Sequence, residues 1–313
     1  MESLVAGRRL RGGASGQVIL LGVSAAPIYL GTSSFTAKGW CGSFYPVGMK
    51  SAEYLSFYAE CFDTVEIDST FYACPPARTV SNWALRTPPG FVFSVKVPQS
   101  ITHEKALVGC ETELAEFVEV MSVLGEKLGV MVLQFPFFDK GKIADRHAFT
   151  DRLLPFLKNL PAGYKFAIEI RNKKWLDAEL ADALSQFGVA LVLQDLSFMP
   201  QPNELQFDPI TADFTYIRWL GDRKGIEQVT TKWDKVVEDK TARLSGWVQY
   251  CQQVQKRGVK QYIYANNHYE GFGPGTIEKF RNLWFAKGLG QLGKPLKMRQ
   301  SRTLFDSNLP SSE

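Results

Sequence analysis

The stretch TVEIDSTFY, Thr64 to Tyr72, alternates in character: Val65 and Ile67 fall on one face, and Glu66, Asp68 and Thr70 on the other. Strand side chains point to opposite faces with a period of 2. On a surface strand the acids would face water. The same pattern recurs in other short runs, with polar residues near their C-terminal ends. Where those polar faces point decides the fold.

The runs are IYLGTSS (28–34), TVEIDST (64–70), VFSVKVP (92–98), VMVLQFP (130–136), FAIEIRN (166–172), ALVLQDL (190–196), FTYIRWLG (214–221) and QYIYANN (261–267). Between them lie segments with helical spacing. Leu114, Phe117, Val118, Met121 and Leu124 form one apolar stripe before Gly129, which reads as the residue ending that helix. Leu180, Leu184 and Phe187 form a second before Gly188, and Leu244, Trp247, Val248, Cys251 and Val254 a third before Gly258. The connection 197–213, rich in Pro and Gln, is a poor helix.

Alternating strands and helices imply a parallel sheet. Eight such units predict an α/β chain folded as a single (β/α)₈ TIM-type barrel over residues 28–290, close to the usual length of about 250 residues. A doubly wound open sheet would carry G-x-G-x-x-G after its first strand, and GTSSFTAKGW does not. In a barrel, Val65 and Ile67 turn to the helices. The acidic face turns inward, and its upper members reach the C-terminal mouth, where this fold builds its sites.

Composition narrows the class. At 45% hydrophobic and 22% charged residues the chain reads as a soluble globular protein. The net charge of +4 comes without a basic run, so it is weak support for a nucleic-acid partner. The five cysteines are odd in number and form no C-x-x-C pair, which argues against a cysteine zinc site or a disulfide framework and for a reducing, cytoplasmic compartment. No apolar run approaches the ~20 residues of a membrane span. Residues 1–27, with Arg8, Arg9 and Arg11 and no acid between Glu2 and Glu53, read as a disordered or presequence-like extension. A transit peptide there would make the protein organellar. Residues 291–313 read as a disordered tail.

Several motifs occur in a familiar order: GTSSFTAKGWCGSFYP, VEIDSTFYACP, TPPGFVFSVKVPQSITHEKAL, LQFPFFDKG, IEIRNKKW and YIRWLGD. Together they resemble the DUF72 family, also called YecE-like proteins. The resemblance implies a TIM-type barrel. The family has no established reaction, so no catalytic role follows from it. Positions matching its polar motifs are Glu66, Lys96, Thr102, His103, Gln134, Glu169, Arg171, Asp195, Arg218 and Asn266. Two histidines common in the family are replaced here by Asn172 and Leu220, which argues against a mechanism built on them.

Strand parity turns Ser94, Lys96, Glu169, Arg171, Gln134 and Arg218 inward with Glu66. The sixth strand does not resolve by parity, and Asp195 is placed by its end position. Inward charges must pair or meet solvent, because unpaired burial costs several kcal/mol. A scaffold of ion pairs, Glu66–Lys96 and Glu169–Arg171, would satisfy them. The catalytic reading takes Glu66 or Glu169 as general acid/base, with Lys96 as charge stabiliser or Schiff-base nucleophile and Asp195 and His103 as further catalytic candidates. Arg171 and Arg218 would clamp a carboxylate or phosphate. Asp68, Gln134, Asn266, Tyr72 and Trp40 complete the expected substrate-binding set, the aromatic pair as pocket wall or stacking platform.

No cofactor motif is evident. Glu66, Glu169 and Asp195 offer oxygen ligands suited to Mg²⁺ or Mn²⁺. Three histidines are few for zinc: His103 and His268 fall after the third and eighth strands, and His147 reads as a surface residue. The leading expectation is an enzyme doing acid/base chemistry on a small polar, anionic metabolite bearing phosphate or carboxylate. A nucleic-acid-binding protein or metal-assisted phosphodiesterase comes second, and a non-catalytic binding barrel third. Substrate, reaction and oligomeric state are not legible.

Overall fold

Every apolar run forms a strand in the computed structural model, which describes residues 25–294 and 296. The strands are β1 (Ile28–Thr32), β2 (Thr64–Ile67), β3 (Val92–Lys96), β4 (Leu128–Gln134), β5 (Lys165–Glu169), β6 (Ala190–Asp195), β7 (Phe214–Trp219) and β8 (Lys260–Ala265). All neighbours pair in parallel, in the order β1-β8-β7-β6-β5-β4-β3-β2. The result is a nearly closed TIM-type barrel.

The seam lies between β1 and β2. The Tyr58 hydroxyl bridges it, accepting from the Thr32 amide at 2.8 Å and donating to the Thr64 carbonyl at 3.1 Å. Gly31 permits the approach: a Cβ there would stand 2.1 Å from the Thr64 oxygen. A side chain at position 31 would force the two end strands apart.

The helices are α1 (Tyr54–Cys61), α2 (Ala77–Leu85), α3 (Glu111–Ser122), α4 (Arg146–Lys158), α5 (Ala178–Gln186), α6 (Arg223–Val229), α7 (Thr241–Lys256), α8 (Asn267–Glu270) and α9 (Gly273–Ala286). Asp145, Asp177 and Asp222 cap α4, α5 and α6, each accepting from a first-turn amide. The connection after β6 has no α-helix, only the short turn Pro202–Glu204, as its Pro and Gln content predicts. The three apolar stripes are buried between strands and helices, apart from the half-buried Phe187. Gly129 does not end the first of them. That helix stops at Ser122, Gly125 makes the left-handed turn (φ 56°), and Gly129 lies within β4. Its missing side chain lets β4 lie close to Val92 and Phe93 of β3.

A second apolar layer fills the barrel itself, with Val92, Val130, Val132, Ala167, Val192 and Phe214 at its centre and Tyr216 and Tyr264 above. The interior is therefore closed below, and polar side chains collect at the C-terminal end.

Most of the expected extensions over 1–27 and 291–313 lie outside the described residues. Of their described parts, the Pro27 carbonyl accepts from the Gln261 amide at 3.0 Å, and Leu292 packs against the core. Among the described residues no helix is long and apolar enough to cross a membrane.

Candidate functional site

Arg218, on β7 and 2% exposed, is the hub of the mouth. Its Nη1 donates to Glu169 Oε2 at 2.5 Å and to Gln134 Oε1 at 3.2 Å. Its Nη2 donates to Glu66 Oε1 at 2.7 Å. The other Glu66 oxygen accepts from the Tyr216 hydroxyl at 2.6 Å. Parity explains the convergence: each of these residues sits on the inward face near the top of its strand. Lys96, expected to pair with Glu66, is instead 3.5 Å from Asp68 Oδ1. Glu169 also accepts from Arg171, through Nε at 2.5 Å and through Nη2. The two arginines outweigh the cost of burial and hold the Glu169 carboxyl down at about 2.

Asp68 behaves in the opposite way. Burial pushes its carboxyl up to about 6, against the pull of Lys96 and Arg218 and with the push of Glu66. Its side chain is 35% exposed, yet Oδ1 is shut away from solvent without a hydrogen-bond partner. Arg218 Nη2 is 3.7 Å from that oxygen, so both neighbouring cations lie beyond hydrogen-bond distance. The Lys96 ammonium rests over the Phe71 ring at 4.4 Å, a cation–π contact.

His103 stands against the edge of the same Phe71, with ring centroids 4.9 Å apart, in the single π-helical turn Ser100–Glu104. Its Nδ1 lies 2.9 Å from Thr102 Oγ1. Burial, with Lys96, Lys142 and Arg171 nearby, lowers its pKa to about 4, so the imidazole is neutral at pH 7.

Three expected site residues are elsewhere. Asp195 faces outward from β6, between strand and helices. It accepts from Arg243 Nε at 3.2 Å and from Arg243 Nη2, from Trp247 Nε1 at 2.7 Å and from the Tyr269 hydroxyl at 2.8 Å. The inward residue is its neighbour Gln194, the register partner of Arg218. Asn266 caps α8, accepting from the His268 amide at 3.0 Å, and its Oδ1 lies 2.6 Å from His268 Nδ1. Trp40 is buried among Phe44, Tyr45 and Phe272, and its Nε1 donates to Asn267 Oδ1 at 3.2 Å. Tyr72 remains 74% exposed, edge-on to Phe71.

Sequence parity does not reach Gln194, because the inward Ala190 and Val192 of β6 are as apolar as its outward Leu191 and Leu193. Asn172, at a position where the family often has histidine, instead holds the Phe138 backbone, accepting from its amide and donating to its carbonyl, each at 2.9 Å.

The three acids suited to a hard cation do not converge. Glu66 and Glu169 are bridged by Arg218, and Asp195 lies across the barrel wall. Among the described residues no group of three His, Cys, Asp or Glu side chains is arranged to hold a metal.

Two clefts lie beside this cluster rather than over it. One, of about 420 Å³, runs along α3 and α4 on the outside, past Leu114, Val118, Phe156 and Tyr164. The other, of about 660 Å³, borders the mouth at Tyr72, Cys74, Gln99, Ser100 and Glu104. Shape alone would favour these clefts. Convergent charge and displaced pKa values favour the mouth.

This chain's similarities agree with its architecture. It is 30% identical to the UPF0759 protein YecE of Escherichia coli (strain K12) over 177 residues, 54% of this chain and 59% of that protein. It is 32% identical to the UPF0759 protein YunF of Bacillus subtilis (strain 168) over 179 residues, 55% of this chain and 56% of that one. The matches thus span a little over half the length of these curated relatives. Among solved structures, a DUF72 family protein of Thermotoga maritima superposes with TM-score 0.64 at 25% identity, covering 84% of this chain and 99% of that one. One of Enterococcus faecalis V583 has TM-score 0.62 at 20% identity, covering 82% and 95%. The family described as "Protein of unknown function DUF72" matches residues 29–300, nearly the whole barrel, and this chain belongs to it.

Proposed function

We propose that the mouth of the barrel is the active site of an enzyme that binds a small anionic metabolite between Arg171 and Lys96 and moves a proton at Asp68. The single observation that carries this reading is the contrast among the carboxylates. Both oxygens of Glu66 and both of Glu169 accept hydrogen bonds, whereas Asp68 Oδ1 has none. Carboxylates whose environments drive their pKa values apart divide into electrostatic and proton-transferring roles. Glu169 takes the first role and Asp68 the second, which moves the general acid/base from Glu66 or Glu169 to Asp68.

The cations suit an anion. The Lys96 ammonium stands 3.5 Å from Asp68 Oδ1, outside hydrogen-bond distance, and can turn to a ligand. Arg171, 21% exposed, uses Nε and Nη2 on Glu169 and leaves Nη1 for a carboxylate or phosphate. A neutral His103 beside them can accept a hydrogen bond from the ligand. Divalent-cation chemistry and a nucleic-acid partner remain the alternative readings, and no particular observation favours either. The unpaired thiols of Cys41, Cys74, Cys110 and Cys251 support a reducing, cytoplasmic setting.

The experiment is a thermal-shift panel of organic acids, sugar phosphates, divalent ions and oligonucleotides on the wild type and Arg171→Ala. Ligands that bind only the native state raise the melting temperature by mass action. Wild-type stabilisation by one anion class is expected. Arg171→Ala should still fold, since Glu169 keeps Arg218, and lose that stabilisation. Retained anion binding in a well-folded variant would remove Arg171 from the site. A severely destabilised variant would make the cluster a scaffold.

A further inference from the structure

Arg218 Nε and Gln194 Oε1 are, like Asp68 Oδ1, buried polar atoms of the mouth without hydrogen-bond partners among the described residues. They belong to residues paired in register across β6 and β7, both inward and only 2% and 4% exposed. Neighbouring strands lie about 4.8 Å apart, so the two residues stand side by side on the inner face. The amide orientation of Gln194 is determined chemically. Its Nε2 donates to the Ile170 carbonyl at 2.5 Å, and a carbonyl can only accept, so Oε1 is the atom left over. The same bond holds the backbone one residue before Arg171, tying this pair to the anion-binding side of the mouth.

One atom is a donor and the other an acceptor. Leaving such groups unpaired in a buried site is costly, and a ligand that satisfies both is strongly preferred over one that does not. A carboxylate cannot donate, and an ammonium cannot accept. A hydroxyl does both with one oxygen, accepting from Arg218 Nε–H and donating to Gln194 Oε1.

We propose that Gln194 and Arg218 form a hydroxyl-recognising subsite, so that the anion held by Arg171 and Lys96 is a hydroxylated one, a hydroxy acid or a polyol phosphate. This inference rests on the anion-binding reading above and narrows its substrate class. Gln194 is then a specificity-determining residue, selecting the hydroxyl while Arg171 selects the charge.

The test is calorimetric titration with matched pairs: glycolate and acetate, lactate and propionate, glycerol 3-phosphate and propyl phosphate. In at least one pair the hydroxylated member should bind wild type roughly tenfold or more tightly. Gln194→Met keeps the length and removes the acceptor, together with the donor to the Ile170 carbonyl, so the ratio within a pair is read and not the absolute affinity. It should bring that ratio within about threefold. The wild-type ratio stands alone if the variant does not fold.

Equal binding within every pair, with Arg171→Ala still abolishing it, would overturn the hydroxyl subsite and leave the anion site intact. Failure of every member to bind would overturn both. A crystal structure of the tightest complex should place the ligand hydroxyl within hydrogen-bond reach of both atoms. A water bridging them with either member bound would refute the assignment.

Discussion

Two buried carboxylate nodes occupy opposite faces of the barrel wall, and they are built differently. On the outer face Asp195 accepts from Arg243, Trp247 and Tyr269, joining β6 to α7 and α8. On the inner face Glu66, Asp68 and Glu169 gather around Arg218, with Lys96 and Arg171 at the rim and Asp68 Oδ1 unsatisfied. The outer node leaves neither oxygen of its carboxylate without a hydrogen bond, with two from Arg243 and one each from Trp247 and Tyr269. The inner one carries cations with capacity to spare. Burial of charge is common to both, so it is the unused capacity that separates a candidate site from a strut.

The largest effect should come from Arg218→Leu. Removing the hub strands Glu66 and Glu169 in the interior, and breaking a buried pair in this way costs about 3–5 kcal/mol. Chemical denaturation measures it. A variant as stable as wild type would mean that the inner acids reach water, and the distinction between the two nodes would collapse.

Asp195→Asn tests the other side. An amide nitrogen turned toward the donors of Arg243, Trp247 or Tyr269 loses a charged acceptor, at a cost of about 1.5–3 kcal/mol. Anion affinity should be unchanged, because the residue faces away from the mouth. A tenfold or greater loss of affinity, the scale of about 1.4 kcal/mol, would join the two nodes into one functional unit. Asn266→Ala should cost about 1 kcal/mol, as loss of a helix cap does, again with binding intact.

Acid and base sharpen the contrast within the mouth itself. The Glu169 carboxyl is held at about 2, below its ordinary 4.5, so its stabilisation is present above that ordinary value and is lost as pH falls through about 2. The Asp68 carboxyl is raised from 3.8 to about 6, so its contribution has the opposite sign. It is present below the ordinary value and lost as pH rises through about 6. Where Asp68 acts as a base, turnover rises over that same step, and Asp68→Asn removes the inflection. An inflection near pH 6 that survives Asp68→Asn would assign the proton transfer to another group. The effect on stability is the smallest expected, because part of the Asp68 side chain meets solvent.

Much of this arrangement is legible in the chain itself. Period-2 alternation in TVEIDST, VFSVKVP and FAIEIRN is a local consequence of strand geometry, so the inward direction of Glu66, Lys96 and Glu169 follows once the runs are read as barrel strands. The eight units, the three helical stripes and the helix-poor segment 197–213 follow from the same short-range periodicities. ALVLQD offers no such signal, because its inward Ala190 and Val192 are as apolar as its outward Leu191 and Leu193. Parity is silent there: end position points to Asp195, and the residue that faces the mouth is Gln194.

Which charge meets which was beyond the sequence for a different reason. Glu66 pairs with Arg218 across 152 positions and not with Lys96, because the barrel's closure and the reach of a guanidinium set the distances between distant strands. Trp40 and Asn266 are sealed or used as caps by loops whose packing has no periodicity to read. The residue types and their faces are properties of local sequence. Their partners, their free valences and the displaced pKa of Asp68 arise only when eight strands bring separate stretches of chain into one low-dielectric space.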